Sequence, residues 1–210
     1  MNIVFLETEG IYYLYDGDKK IFTSEGSAIC TKSQELAQIL LEEAQSGVEP
    51  EAGDPHSMLS YHSLYCDYMI QTLDGQGCDN QEDGIEELKE LLYTDNFWGF
   101  DEPIQIRAAA VSQYLDWLPE NIDKLPLHQY VAFMNMIIAT GSIILPHKIL
   151  HSMFSEDSFY SIDDVDMFVE DLEEYGLESG AAAFIDMDWT HDSIKSMVET
   201  FVRYYTLEEV

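Results

Sequence analysis

The sequence predicts an α+β protein with a small N-terminal antiparallel β-rich subdomain, residues 1–55, followed by an orthogonal α-helical bundle, residues 56–210. Two observations carry that prediction. Residues Tyr12 to Thr23 place aromatic and β-branched side chains on both sides of an Asp16-Gly17 turn, a strand-turn-strand pattern. From Ser33 onward Leu36, Ile39 and Leu40 change the apolar spacing from a period of two to one of about 3.6, and later segments keep the helical period.

In chain order, Asn2 to Leu6 is the expected first strand, ended by Glu7-Thr8-Glu9-Gly10. The hairpin follows, and a turn at Ser24-Glu25-Gly26 leads to a further strand at Ser27 to Thr31. A sheet of about four strands has a bare face that needs a cover. The first helix, Ser33 to Gln45, supplies it with Leu36, Ile39, Leu40 and Ala44, with Thr31 and Gln34 as its capping box and Ser46-Gly47 as its stop. Val48 to Pro55, with two prolines and a glycine, reads as an extended connector.

Met58, Leu59, His62, Tyr65, Cys66 and Met69 mark a second helix reaching Leu73. Residues 74–84 form a polar acidic loop, then Ile85 to Leu92 and Ile104 to Leu118 read helical. Leu127 to Leu150 is long and apolar, with a bend or split expected at Gly141 and Pro146. Ser161 and Asp164 cap an amphipathic helix from Ile162 to Tyr175, and His191 to Tyr205 closes the set with Ile194, Met197, Val198, Phe201 and Tyr205 on one side.

Composition narrows the partners. Forty-one acidic residues against nine lysines and arginines leave a formal charge of −32, which repels nucleic-acid backbones and anionic bilayers. An apolar fraction of 46%, with 13 tyrosines and 10 phenylalanines, is too high for a disordered acidic tail, so the acids coat a packed core. Three cysteines, Cys30, Cys66 and Cys78, have no C-x-x-C spacing and fit free thiols in a reducing compartment. The opening Met1 to Glu7 lacks the basic n-region of a signal peptide, and the apolar run Val131 to Leu145 is broken by Asn135, Thr140, Gly141 and Ser142. A cytoplasmic (bacterial) location and no membrane insertion are expected.

No spacing of a nucleophile, metal cage or phosphate loop is present, so neither an enzyme nor a cofactor is expected. Asp79, Gln81, Asp83, Gly84 and Glu90 resemble part of a calcium loop, but Gln81 and Glu86 break the pattern, and the acidic loop reads mainly as solvated. Asp163 to Glu174 alternates acids with apolar residues at helical spacing, the signature of a charged outer helix face. His147 and His151 share an i,i+4 spacing without the glutamate that a zinc helix carries between them. Phe97, Trp98 and Phe100 sit between acidic residues, either as plugs between helices or as an exposed anchor for a protein partner.

The order of several short patterns resembles the F-type ATP synthase alpha-subunit assembly chaperones. These are Tyr15-Asp16-Gly17, Thr23-Ser24-Glu25-Gly26, Lys32 to Ala37, Glu42 to Gln45, Asp54 to Ser60 ahead of Asp67, Leu91 to Asp95, Tyr114 to Trp117, Thr140-Gly141-Ser142 and Tyr175 to Glu178. Ala44 and Tyr175 stand where that family has tryptophan, Ser24 where it has proline and Asp171 where it has glutamine. The resemblance implies an ATP-independent chaperone that holds the alpha subunit before hexamer assembly. For such a binding module Phe97, Trp98, Phe100 and Glu178 are the expected partner contacts. The alternative is an acidic nucleic-acid-mimicking decoy that binds a basic DNA-binding protein. An enzyme of unknown class ranks third.

Overall fold

The chain turns back on itself twice before its first helix. The computed structural model describes residues 3–73, 95, 124–155, 158–179, 190–208 and 210. Strand β1, Ile3–Thr8, pairs antiparallel with β2, Ile11–Asp16, from Ile3 opposite Asp16 to Thr8 opposite Ile11. Strand β3, Lys19–Lys20, folds back on the end of β2. The two turn residues are therefore Gly17 and Asp18, one place later than expected. Gly17 takes φ +61°, which a first turn residue of this hairpin class needs and which costs glycine no Cβ clash. Strand β4, Cys30–Thr31, pairs with Tyr12 and Tyr13, so β2 is the central strand with β1 on one side and β3 and β4 on the other.

Helix α1, Gln34–Ser46, covers this sheet with Leu36, Ala37, Leu40 and Ala44. Its cap is Ser33, whose Oγ accepts from the Leu36 N–H at 3.2 Å, rather than the expected Thr31-Gln34 box. Thr31 serves one step earlier, accepting from the Ser33 N–H at 3.0 Å. Of the neighbouring candidates, Ser33 is the one that immediately precedes the first turn with its own backbone still extended, the position from which a short side chain reaches the free N–H groups. The helix ends at Gly47, as its sequence predicts.

Helix α2, Met58–Leu73, then runs into the interior. Helices α3, Leu127–Thr140, and α4, Ile144–Phe154, are the two parts of the long apolar segment. The split falls at Gly141, which takes φ +65° while its N–H bonds the Ile137 carbonyl at 2.8 Å. Pro146 breaks nothing, because it lies in the first turn of α4, where an N–H has no partner within the helix. A short 3-10 turn, Ile162–Asp164, leads into α5, Val165–Ser179, and α6, His191–Tyr205, follows.

One continuous apolar core joins Leu14 and Ile29 of the sheet to Leu36 and Leu40, Leu59 and Tyr61, Phe133 and Met136, Val169, Phe201 and Tyr204. Helix α6 sits at the centre of the helical part, packed on α2, α3 and α5. Its predicted face is buried as expected, with Val202 and Tyr204 added. The result is an α+β fold with a small N-terminal antiparallel sheet followed by helices. Among the described residues no helix is long and apolar enough to cross a membrane.

Candidate partner-binding face

Serine, asparagine and carboxylate side chains do two different jobs here, and burial separates them. In the interior they join segments. Glu43 of α1 reaches the first turn of α2, where its carboxylate accepts from Ser57 Oγ at 2.7 Å and from the N–H groups of Met58 at 3.0 Å and Leu59 at 2.8 Å. Asp95 does the same for α4, accepting from Ser142 Oγ at 2.7 Å and from the N–H groups of Ile143 at 2.6 Å and Ile144 at 3.1 Å. A carboxylate at a helix N-terminus meets both the free N–H donors and the positive end of the helix dipole. Thr23 donates to Asp67 at 2.6 Å, and Gln45 donates to the Ile3 carbonyl at 2.9 Å. Asn135, fully buried on α3, accepts from the Gly53 N–H at 2.8 Å and donates to the Asp54 carbonyl at 3.2 Å, fixing the connector.

His62 belongs to this interior. Its Nε2 lies 2.8 Å from the Cys30 carbonyl oxygen and its Nδ1 3.2 Å from the Tyr204 hydroxyl. A carbonyl can only accept, so Nε2 carries the proton and Nδ1 receives the Tyr204 O–H. Burial disfavours the charged ring and pushes its pKa down to about 4.

The opposite arrangement occupies the start of α5. Backbone N–H groups of Phe159 and Tyr160 both bond the Ser152 carbonyl at 3.2 Å, anchoring the loop to α4. The Tyr160 ring packs edge-on against Phe168, and its hydroxyl donates to Asp171. Between these anchors Phe159 points into water, 84% exposed. Two further large apolar side chains close by in the chain are also in water, Ile162 at 50% and Met167 at 59% exposed. Ile162, expected on the buried side, stays half-exposed because the 3-10 turn does not keep the angular step of the α-helix behind it.

Exposed acids alternate with these residues along the chain. Asp163, Asp166, Glu170, Asp171 and Glu174 are exposed, while Val165, Phe168, Val169 and Leu172 face the core, as the alternating pattern predicts. The predicted Ser161-Asp164 cap is present, with the Asp164 carboxylate accepting from the Ser161 N–H at 2.9 Å and Oγ at 2.6 Å. The helix continues past Gly176 to Ser179. A groove of about 410 Å³ runs beside it, lined by Ile162, Asp163, Val165 and Asp166 and by Glu199, Val202, Arg203 and Thr206 of the α6 end. Lys195 of α6 meets Asp166 at 2.6 Å, and His191 meets Glu173 at 2.8 Å. The Glu173 carboxylate holds His191 above its ordinary pKa, and Asp166 does the same for Lys195.

Of the residues that the sequence singled out for partner contact, Phe97, Trp98 and Phe100 lie outside the described residues. Glu178 falls in the last turn of α5, with its side chain outside them. The calcium-like stretch from Asp79 to Glu90 also lies outside. The His147 and His151 rings are 6.1 Å apart, and burial lowers the His147 pKa to about 4. Among the described residues no group of three His, Cys, Asp or Glu side chains could hold a metal ion. Phe159 and Met167 were not singled out from the sequence. The only signal was the adjacent aromatic pair Phe159-Tyr160 ahead of Ser161, in which the sequence does not say which ring folds inward and which outward.

Compared with known proteins, the chain matches no family model, no curated protein and no solved structure.

Proposed function

We propose that this chain is an ATP-independent assembly chaperone that holds a protein client through the face built by Phe159, Ile162 and Met167. Phe159 carries the proposal. The backbone on both sides of it is hydrogen-bonded, so the segment that presents the exposed ring is already fixed and binding has only the ring's own torsions to order. Exposed apolar anchors rimmed by Asp163, Asp166 and Glu170 suit a client surface that is itself apolar and rimmed with lysine or arginine. The net charge of −32 keeps the loaded complex in solution and steers it toward such a surface. Holding and release need no catalytic group and no cofactor, only a permanent partner that binds the client more tightly.

The resemblance names the client as the alpha subunit of an F-type ATP synthase. Supporting a shared scaffold, motif positions that carry the resemblance meet one another across the fold, as Thr23 meets Asp67, Glu43 meets Ser57 and Asp95 meets Ser142. In this proposal Phe97, Trp98, Phe100 and Glu178 add to the contact set. An apolar centre favours a protein client over the nucleic-acid-mimicking decoy, which would need carboxylates spaced as phosphates.

The test is affinity capture of the tagged chain from the cognate lysate, read by mass spectrometry. The alpha subunit is expected to co-purify, and the double variant Phe159→Ser with Met167→Ser is expected to reduce its capture by about tenfold or more. Capture of basic nucleic-acid-binding proteins that is indifferent to these substitutions would instead support the decoy. No complex with the alpha subunit, together with normal ATP synthase assembly in a deletion strain, rejects the chaperone.

A further inference from the structure

Two cysteines 36 positions apart in sequence, Cys30 and Cys66, meet where the sheet rests on α2. Cys30 opens β4 opposite Tyr13, and Cys66 lies one helical turn after His62 on α2. The Cys66 thiol donates to the Cys30 carbonyl at 3.7 Å, and His62 Nε2 bonds the same oxygen at 2.8 Å. Two side chains of one helix face thus hold a single backbone atom of the strand, which fixes the approach of the two residues.

Their surroundings are unequal. Cys30 is half-buried at the sheet edge, near Lys20, whose ammonium lies 3.6 Å from the centre of the Tyr13 ring. Contact with the Cys66 side chain, the largest influence, and the positive charge of Lys20 hold its pKa down to about 7 against the cost of partial burial. Cys66 is buried, and the same contact together with desolvation pushes its own pKa well up. One sulfur is thus reachable and partly thiolate at neutral pH, while the other is protonated, enclosed and adjacent.

We propose that Cys30 and Cys66 form a peroxide-reactive dithiol in which Cys30 is the sulfur that reacts with peroxide, Cys66 resolves it, and the resulting disulfide ties β4 to α2. In the first step the Cys30 thiolate attacks one oxygen of hydrogen peroxide. A sulfur–oxygen bond forms, the oxygen–oxygen bond breaks, and the departing hydroxide takes a proton to become water, leaving a sulfenic acid on Cys30. In the second step Cys66 attacks that sulfur. The sulfur–sulfur bond forms, the sulfur–oxygen bond breaks, and the leaving oxygen takes the Cys66 proton as a second water. Two thiols are oxidised by two electrons, and one peroxide is reduced to two waters.

The experiment treats the reduced full-length chain with hydrogen peroxide, blocks remaining thiols under denaturing conditions and maps the peptides by mass spectrometry. A bridged Cys30–Cys66 peptide that dithiothreitol reverses is expected, with Cys78 recovered as a blocked thiol. Cys78→Ser should oxidise like the wild type, and Cys66→Ala should leave a sulfenic acid on Cys30 that a dimedone probe labels. A bridge through Cys78, or a wild-type Cys30 that stays free or passes to sulfinic acid without bridging, overturns the proposal. The wild-type peptide map decides the matter even if Cys66→Ala fails to fold.

Discussion

The seam between α1, α2 and the sheet and the face at the start of α5 draw on the same residue types and use them in opposite ways. At the seam, the Glu43 carboxylate takes three hydrogen bonds from the α2 N-terminus, and Thr23 and Asp67 close on each other away from water. At the start of α5, Asp163, Asp166 and Glu170 lie in water, as do Phe159, Ile162 and Met167 close by in the chain. A carboxylate is worth most to folding where a desolvated donor depends on it and little where water already satisfies it. Among the described residues, exposed acids therefore set surface charge rather than stability, and the ones that hold the fold are identified by their partners, not by their neighbours in sequence.

The largest expected effect breaks the seam. Glu43→Ala removes all three bonds at the α2 N-terminus and leaves the Met58 and Leu59 N–H groups at a partly buried site. A loss of about 2–4 kcal/mol in urea unfolding is expected, with Glu43→Gln recovering part of it. Glu170→Ala on the other face should fall within about 0.5 kcal/mol. Equal losses for the two would end the contrast.

Next in size is a pH effect through His62. Its folded pKa, about 4, lies below the ordinary 6.5, so the unfolded chain takes up a proton before the native one does. The stabilisation is fully present above pH 6.5 and is lost as pH falls from there toward 4, a total of about 3 kcal/mol. His62→Gln should flatten this part of the pH dependence in urea midpoints compared at about pH 7 and about pH 5. A variant with an unchanged slope would place the linkage elsewhere, with His147, also lowered to about 4 by burial, the next group to replace.

The smallest expected effect on stability sharpens the other side. Phe159→Ser should move the unfolding free energy by less than about 0.5 kcal/mol, because the ring is 84% exposed and the loop is held by backbone bonds and by Tyr160. A loss of about 2 kcal/mol or more would show that the ring packs inward and that the face is part of the core.

Much of the fold was legible because its signals are local. The hairpin at Gly17, the α1 stop at Gly47, the break at Gly141, the Ser161-Asp164 cap and the apolar stripe of α6 each depend on residues within a turn or two of one another. The slips were local too, where neighbouring candidates compete, as Ser33 took the cap of α1 and Pro146 fell harmlessly in a first helical turn. Glu43 and Asp95 were not legible as caps, because each serves a helix that begins many residues later. Phe159 was not legible as an exposed anchor, because the bonds that hold it outward belong to Ser152 and Tyr160.

The sequence by itself determined the order of the described strands and helices, their apolar faces and the negative charge, since periodicity, turn chemistry and charge are properties of short stretches. Only the tertiary structure decided which carboxylates cap helices, which histidines burial holds neutral, which two cysteines meet and which aromatic stays in water. Each of those outcomes depends on the distance between residues far apart in sequence, and that distance exists only once the sheet and the helices have closed on a common core.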